Sequence, residues 1–288
     1  MLYPVLQLYP VRTLNLIRRA AALAALCWLA ACAAPFDPDT SITADVPTRA
    51  AVPNVPLIAQ EAFYCGPAAL AMVMQWAGQD VTQDQIAALS FTEGAGGTYT
   101  ADMIGSARRT GQLAVEIHTL DQLLGEIAAG HPVIVFQNLG VAIAPVWHYG
   151  VVTGYDVQAD TVMLNSGQEA QMVLPFGIFD RSWARGDRWA LVVLPPDQLP
   201  ATALEADVLS AVAALERVGQ LDAAEAAYET GAQHWPESWL WQFGLGNTRY
   251  AQGDLQGARR ALRRARSLAP DIPEIRNNLA HVEGELAG

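Results

Sequence analysis

The stretch FYCGPAALAMVMQW, residues Phe63–Trp76, places a cysteine directly before Gly-Pro and a long apolar run. The run is apolar on every side, which predicts a helix in the middle of a domain. Pro67 suits the first turn of such a helix, where a missing backbone N–H costs nothing. Cys65 would then lie at the helix N-terminus, where unpaired backbone amides favour the thiolate, and Gly66 would let a substrate approach the backbone closely. The alternative is that Cys65 is a small hydrophobic residue at the edge of a core helix.

The composition of the whole chain indicates a folded, acidic protein. Hydrophobic residues make up 52% of its 288 residues and charged residues 16%, so two folded units with a sizeable core are expected. The formal net charge of −12 argues against nucleic acid as a partner. All 17 basic residues are arginine, which excludes lysine-based chemistry.

The N-terminal segment is typical of a secreted protein. Two arginines precede the apolar run AAALAALCWLAA, which is too short to span a bilayer comfortably. The stretch LAAC, Leu29–Cys32, resembles a bacterial lipobox, which implies cleavage before Cys32 and lipidation of its sulfur. An ordinary signal peptide that contains a cysteine is the alternative. We therefore predict a signal peptide over residues 1–31 and a lipid anchor on Cys32, followed by a flexible tether that ends at residue 52.

The expected location follows from this segment. In lipoproteins of this kind, a residue other than aspartate after the cysteine favours sorting to the outer membrane, and Ala33 stands there. We expect a lipid-anchored protein of the bacterial cell envelope that faces the periplasm. Once Cys27 has left with the signal and Cys32 is acylated, Cys65 is a free thiol with no disulfide partner. Such a thiol is a liability in an oxidising compartment unless it is buried or used.

The pattern of apolar residues changes along the next part of the chain, residues 53–198. Helices are expected first, after Cys65 and at Asp84–Leu89, Ala101–Thr110 and Leu120–Ala129. Short runs rich in β-branched and aromatic residues then predict strands at Pro132–Gln137, His148–Tyr155, Thr161–Leu164 and Arg188–Leu194. Helices followed by strands favour a segregated α+β domain with an antiparallel sheet.

Residues 203–288 are rich in alanine, leucine, glutamate and arginine, and they repeat with a period of 34 residues. The period joins Gly219 to Gly253 and Pro236 to Pro270, with further matches at leucine and alanine positions. The pattern resembles the tetratricopeptide repeat. The resemblance implies an all-α domain that recruits a protein partner or substrate, with the last helix, Pro273 to Ala287, as a solvating cap.

Three further polar residues could act together with Cys65. Gln60 lies five positions before it and could offer its side-chain amide to an oxyanion. His148 opens a strand and could serve as general base and acid, and Asn165 could hold the imidazole in the useful tautomer. Each residue also has an ordinary explanation: Gln60 at the surface, His148 hydrogen-bonded within a strand, and Asn165 in a turn.

The segments VPLIAQEAFYCGPAALAMVMQWAG, GHPVIVFQNLG and PVWHYGVVTGYD resemble the papain-like cysteine peptidases of the C39 type. A bacterial lipoprotein group in which a C39-like domain precedes tetratricopeptide repeats is more similar still. The resemblance implies that Cys65 is the nucleophile, His148 the base and Gln60 the oxyanion-hole residue. The C39 pattern usually has aspartate, often followed by proline, where this chain has Asn165-Ser166-Gly167. Asn165 therefore holds the third position only if the register is right, and Asp156 and Ser166 are neighbours that could be confused with it.

Together these features predict a membrane-anchored cysteine peptidase that hydrolyses a peptide or amide bond of a peptide or protein substrate. A catalytically inactive peptide-binding adaptor and a thiol-dependent acyltransferase are the alternatives. No cofactor is predicted, and the remaining histidines lack the spacing of metal ligands: His118, His131, His234 and His281.

Overall fold

The computed structural model describes residues 45–61, 63–92, 94 and 97–288. The expected signal peptide, the lipidated Cys32 and the first part of the tether lie outside the described residues. The described chain belongs to one compact unit, Ile42–Gly288. Within it, no helix is long and apolar enough to cross a membrane.

The centre of the molecule is an antiparallel sheet. Its strands in the described residues are β1 Arg49–Ala51, β2 Leu113–Ile117, β3 Val133–Asn138, β4 Trp147–Asp156, β5 Thr161–Ser166, β6 Glu169–Pro175 and β7 Ala190–Leu194. Six of them lie side by side in the order β2-β7-β3-β4-β5-β6, and β1 pairs with the far end of β4. Every pairing is antiparallel, as the sequence predicts.

Helices cover both faces of this sheet. In chain order they are α1 Cys65–Trp76, α2 Gln83–Ser90, α3 Thr100–Arg109, α4 Leu120–Ala128 and α5 Phe176–Ala184. Strand side chains alternate between the two faces: Ile134 packs with α1, whereas Val133 and Val135 pack with α4 and α5. The apolar run of α1 is buried from Gly66 to Met74, so this helix is a core element.

Three strands were not predicted, and the tether was predicted to be too long. Arg49–Ala51 pairs with the last residues of β4, and Val52 is buried. The reason is that β4 extends beyond its partner β3, which pairs only as far as Val152, so its remaining backbone groups take β1 as partner. The strands β2 and β6 interrupt the expected order of helices followed by strands, and α5 follows them.

The C-terminal part of the chain is entirely helical. Its helices are α6 Glu205–Arg217, α7 Leu221–His234, α8 Trp239–Ala251, α9 Leu255–Leu268 and α10 Pro273–Ala287. Side chains of α6, among them Val208 and Val212, share a buried cluster with Leu113 and Val115 of β2. The C-terminal helices therefore dock on the sheet through an apolar contact.

A buried carboxylate secures the connection between β7 and α6. The side chain of Glu126 in α4 is fully buried and lies 2.7 Å from the Nδ1 of His131. Its other oxygen accepts hydrogen bonds from the backbone N–H and the hydroxyl of Thr202, both at 2.7 Å. Since the carboxylate is desolvated, the bonds hold the connecting segment against the sheet domain.

Candidate active site

Cys65 is the first residue of α1, and its side chain is half-buried. The residue before it, Tyr64, makes no side-chain hydrogen bond to the helix, and the described first turn holds no acidic residue. The first backbone N–H groups of α1 therefore keep their partial positive charge close to the sulfur.

Gly66 is required here for packing. A Cβ at this position would lie 2.9 Å from the Cβ of Thr98 and 3.2 Å from the Sδ of Met103. The glycine lets the first turn of α1 pack directly on the segment before α3, and its Cα is buried rather than open to a substrate. Close packing, not access to the backbone, thus explains this residue.

The imidazole of His148 lies near the beginning of β4 and is 8% exposed. Its Nε2 is 2.8 Å from the hydroxyl oxygen of Ser166, at the end of β5. Burial lowers the pKa of His148 below its ordinary value. A neutral hydroxyl thus orients the ring through Nε2 and leaves Nδ1 for another partner.

The chain before Cys65 passes the turn that follows Ser166. The backbone N–H of Gln60 donates to the carbonyl of Gly167 at 3.5 Å, and Gln60 is half-buried. The structure therefore brings the backbone of Gln60 to the residue that follows Ser166. Its side-chain amide lies only five residues before the thiol in sequence.

A cavity of about 450 Å³ opens at Cys65. Its walls are mostly aromatic and contain no charged side chain among the described residues: Phe63, Gly97, Thr98, Tyr99, Phe136, Trp147 and Tyr149 line it with Cys65. Phe136 and Trp147 stack with their ring centroids 5.0 Å apart. Such a cavity suits an uncharged, apolar group beside the sulfur.

The thiol and the imidazole both lie near the beginning of β4. Tyr149 packs with α1, and its chain neighbour His148 contacts the hydroxyl of Ser166. Among the contacts of the described residues, no hydrogen bond joins Cys65 to His148. The cavity wall nevertheless includes Trp147 and Tyr149, the residues on either side of His148. The structure brings the sulfur to the end of β4 that carries the imidazole, without the direct contact.

Residues 52–188 match the model of the Peptidase_C39 like family. The chain contains a C39-like peptidase domain. The matched range includes Cys65, His148 and Ser166, and it covers the sheet except β1 and β7. A comparison with curated proteins finds no significant match. The C-terminal helices lie outside the matched range.

Three solved structures are similar to about half of the chain at low sequence identity. One is a protein from Bacillus anthracis described as a C39-like peptidase, with 19% identity and a TM-score of 0.43, covering 51% of this chain and 97% of that one. Another is the peptidase domain of Streptococcus ComA, a bifunctional ABC transporter involved in a quorum sensing pathway, with 23% identity, a TM-score of 0.41 and coverage of 49% and 99%. A third is a double glycine motif protease from an AMS/PCAT transporter in complex with the leader peptide, with 23% identity, a TM-score of 0.41 and coverage of 50% and 93%. The family match, and not these likenesses, supports the assignment.

In the part of the chain that the structure describes, no hydrogen bond joins Asn165 of the peptidase domain to His148. It lies opposite Val151 in the β4–β5 register, on the α1 face of the sheet. Its Nδ2 donates to the carbonyls of residues 55 and 56 at 3.3 and 3.2 Å, and its Oδ1 accepts from the backbone N–H of Gln171 at 2.9 Å. The Asn165 amide therefore fixes the segment that leads to Gln60.

Asp156 and Ser166, the two residues that the sequence could not distinguish from Asn165 as the third catalytic residue, lie at different places in the structure. Asp156 is the last residue of β4 and pairs with Arg49 at 3.5 Å, at the opposite end of the strand from His148. Ser166 is the residue that the structure places against the imidazole.

Sequence analysis missed Tyr149 as a site residue. Its hydroxyl donates to the carbonyl of Thr98 at 3.1 Å. Burial, together with the nearby Cys65 and Asp102, raises the pKa of Tyr149 far above its ordinary value. The phenol therefore stays neutral beside the sulfur. The alternation in the segment WHYGVV was the available signal, since it places Trp147 and Tyr149 on one face of a strand.

Proposed function

We propose that this C39-like peptidase hydrolyses a peptide or amide bond with Cys65 as its nucleophile. The observation that carries the proposal is the position of Cys65, at the beginning of the buried helix α1 and in the wall of an aromatic cavity. This combination places the partial positive charge of a helix N-terminus beside the sulfur and provides room for a substrate next to it.

The reaction would pass through an acyl-enzyme. The Sγ of Cys65 gives its proton to the Nδ1 of His148 and attacks the substrate carbonyl, whose oxyanion accepts bonds from the Gln60 side chain and the Cys65 backbone N–H. The carbon–nitrogen bond then breaks as His148 returns the proton to the leaving amine. Water, deprotonated by His148, attacks the thioester, which releases the acid and regenerates the thiol.

The contact between sulfur and imidazole would form when a substrate occupies the cavity. Catalytic hydrogen bonds are often long in free enzymes and tighten only in the Michaelis complex. His148 is the second residue of β4, and both of its chain neighbours line the cavity. A substrate in the cavity would therefore contact the residues on both sides of His148 and could shift the backbone that carries the imidazole.

Ser166 would decide the charge state in which the pair works. A hydroxyl orients the imidazole but supplies no negative charge, and burial already disfavours the imidazolium. We therefore infer that a neutral His148 removes the proton from Cys65 during the attack. The same observation favours a second candidate function, a peptide-binding adaptor without turnover.

The test is the appearance of new amino termini in a peptide library incubated with the full chain. Cleavage that disappears in Cys65→Ser and falls strongly in His148→Ala would support hydrolysis. Mass spectrometry of the Cys65 peptide would detect the thioester, and added glycinamide would capture the acyl group if an amine is the true acceptor. Binding of peptides without thioester or cleavage would show the adaptor instead.

We also propose that the domain is held at the outer membrane, facing the periplasm, by lipid on Cys32. The proposal rests on the sequence LAAC that ends the apolar N-terminal run. Cys32→Ala should release the protein from the membrane fraction and block processing at residue 32. An unchanged membrane fraction in this variant would contradict the proposal.

For the C-terminal helices we propose tetratricopeptide repeats that recruit a protein partner or substrate. The support is the period of 34 residues together with equivalent turns: Gly219 and Gly253 have φ of 81° and 86° at the end of α6 and α8. Glycine suits both positions because the left-handed region penalises other residues. Crosslinking in the cell envelope, with and without residues 203–288, tests the recruitment.

A further inference from the structure

The connection between β3 and β4 exposes an unusual run of apolar side chains. We call residues 139–147, with the sequence LGVAIAPVW, the apolar hairpin. It contains no charged residue, and its large side chains face solvent: Leu139 is 51% exposed, Val141 60%, Ile143 95%, Val146 56% and Trp147 49%. Contiguous exposed apolar surface of this kind marks interaction sites.

The backbone of the apolar hairpin is held in place. The buried side chain of Asn138 accepts hydrogen bonds from the backbone N–H groups of Gly140 and Val146, both at 3.0 Å. The guanidinium of Arg185 donates to the Asn138 carbonyl at 2.7 Å. These bonds fix both ends of the loop, so its apolar side chains are presented on a defined backbone.

The apolar hairpin continues into the cavity at Cys65. Trp147 ends the hairpin, stacks on Phe136 and lines the cavity. Two further cavity residues are themselves exposed, Phe63 at 69% and Tyr99 at 59%. One uncharged apolar surface therefore runs from the tip of the hairpin to the sulfur.

We propose that this surface binds an uncharged, apolar segment of the polypeptide substrate next to the bond that Cys65 attacks. The inference rests on the proposed function and adds a substrate class to it. A membrane surface would account for the exposed hairpin but not for the cavity at Cys65 that Trp147 lines together with Phe63 and Tyr99. An extended apolar segment can cover the tip and fill the cavity, because the two are continuous.

The test compares binding of two fluorescein-labelled peptides to the full chain carrying Cys65→Ala, which removes turnover. Both peptides have the same length and charge; one has a central Val-Ile-Leu-Phe segment, the other Ser-Gln-Thr-Asn. The apolar peptide should bind at least about tenfold more tightly, because its apolar side chains are transferred from water into the cavity. Adding Val141→Ser and Ile143→Ser gives the hairpin variant, which should lose most of this preference.

A matched control is the pair Ile178→Ser and Leu204→Ser, which removes exposed apolar side chains outside the hairpin and the cavity. It should leave the preference unchanged, and thermal unfolding should show that all variants are folded. Equal binding of the two peptides, or a preference that survives in the hairpin variant, overturns the inference. Loss of binding to phosphatidylethanolamine–phosphatidylglycerol vesicles as the only effect of the hairpin variant assigns the surface to lipid and also overturns it.

Cleavage by the protein that retains Cys65 separates this inference from the proposed function. Selective binding of the apolar peptide without new amino termini leaves the surface assignment standing and refutes hydrolysis. Cleavage of both peptides at equal kcat/KM, unaffected by the hairpin variant, supports hydrolysis and refutes the assignment of the surface. Support for both requires that the hairpin variant raises KM for the apolar peptide alone.

Discussion

Replacing Ser166 with aspartate tests the geometry around His148 most directly. In the wild type a neutral hydroxyl lies 2.8 Å from Nε2, and burial lowers the pKa of His148. An opposite charge within about 4–6 Å shifts a pKa by about 1–3 units, or ~1.4–4 kcal/mol. Because Ser166 is only half-buried, solvent screens part of this attraction. We expect the pKa of His148 to rise by about 1–2 units.

The assay combines two readouts. NMR of the imidazole protons follows His148 itself, and iodoacetamide alkylation, mapped by mass spectrometry, follows Cys65 over the same pH range. Ser166→Asn is the matched control, because its amide can also bond the ring but carries no charge. Ser166→Asp should keep His148 protonated to higher pH. It should also make Cys65 react at lower pH than in the control, since an imidazolium stabilises a neighbouring thiolate.

The two readouts refute different steps. Identical imidazole titrations in the aspartate and asparagine variants would show that residue 166 does not face His148 in solution. A raised His148 pKa with an unchanged alkylation profile would show instead that the imidazole is not coupled to Cys65. The catalytic proposal would then fail although the contact with Ser166 is correct.

Two further predictions concern stability and are measured by urea unfolding. Gly66→Ala should cost about 1–3 kcal/mol, because its Cβ would lie 2.9 Å from that of Thr98; Gly284→Ala, with no atom within 4 Å, should not destabilise, and equal effects would contradict the packing argument. Glu126→Ala should cost about 1–3 kcal/mol by leaving the half-buried donors of Thr202 unpaired. Glu126→Gln retains an acceptor and should cost less, so equal losses would show that the bonds to Thr202 are not responsible.

The main elements of the peptidase domain could be predicted because their patterns are strong. The helix α1 is apolar on every side and has Gly-Pro in its first turn. The run PVIVFQ, which forms most of β3, is rich in β-branched residues. The strand β6 was missed for the opposite reason. It is an edge strand whose residues are mostly exposed, so its sequence EAQMVLP shows little apolar alternation.

The choice between Asn165 and Ser166 could not be made from the sequence. Adjacent residues of a strand face opposite sides, so a shift of one position exchanges their surroundings. The β4–β5 pairing is irregular between Val152 and Gly154, and the β5–β6 pairing is irregular between Leu164 and Ser166. Such irregularities depend on the packing of whole strands and leave no clear mark in a short sequence.

In the proposed mechanism, the position of His148 connects substrate binding to proton transfer. Trp147 belongs to the apolar hairpin and the cavity, and the next residue in the chain carries the imidazole. A substrate segment that packs on Trp147 therefore acts on the same piece of backbone that must bring His148 toward Cys65. Binding energy from the apolar segment can be used to form the catalytic contact, which raises kcat as well as lowering KM. In this proposal, the exposed hairpin and the thiol–imidazole pair belong to one site that the substrate completes.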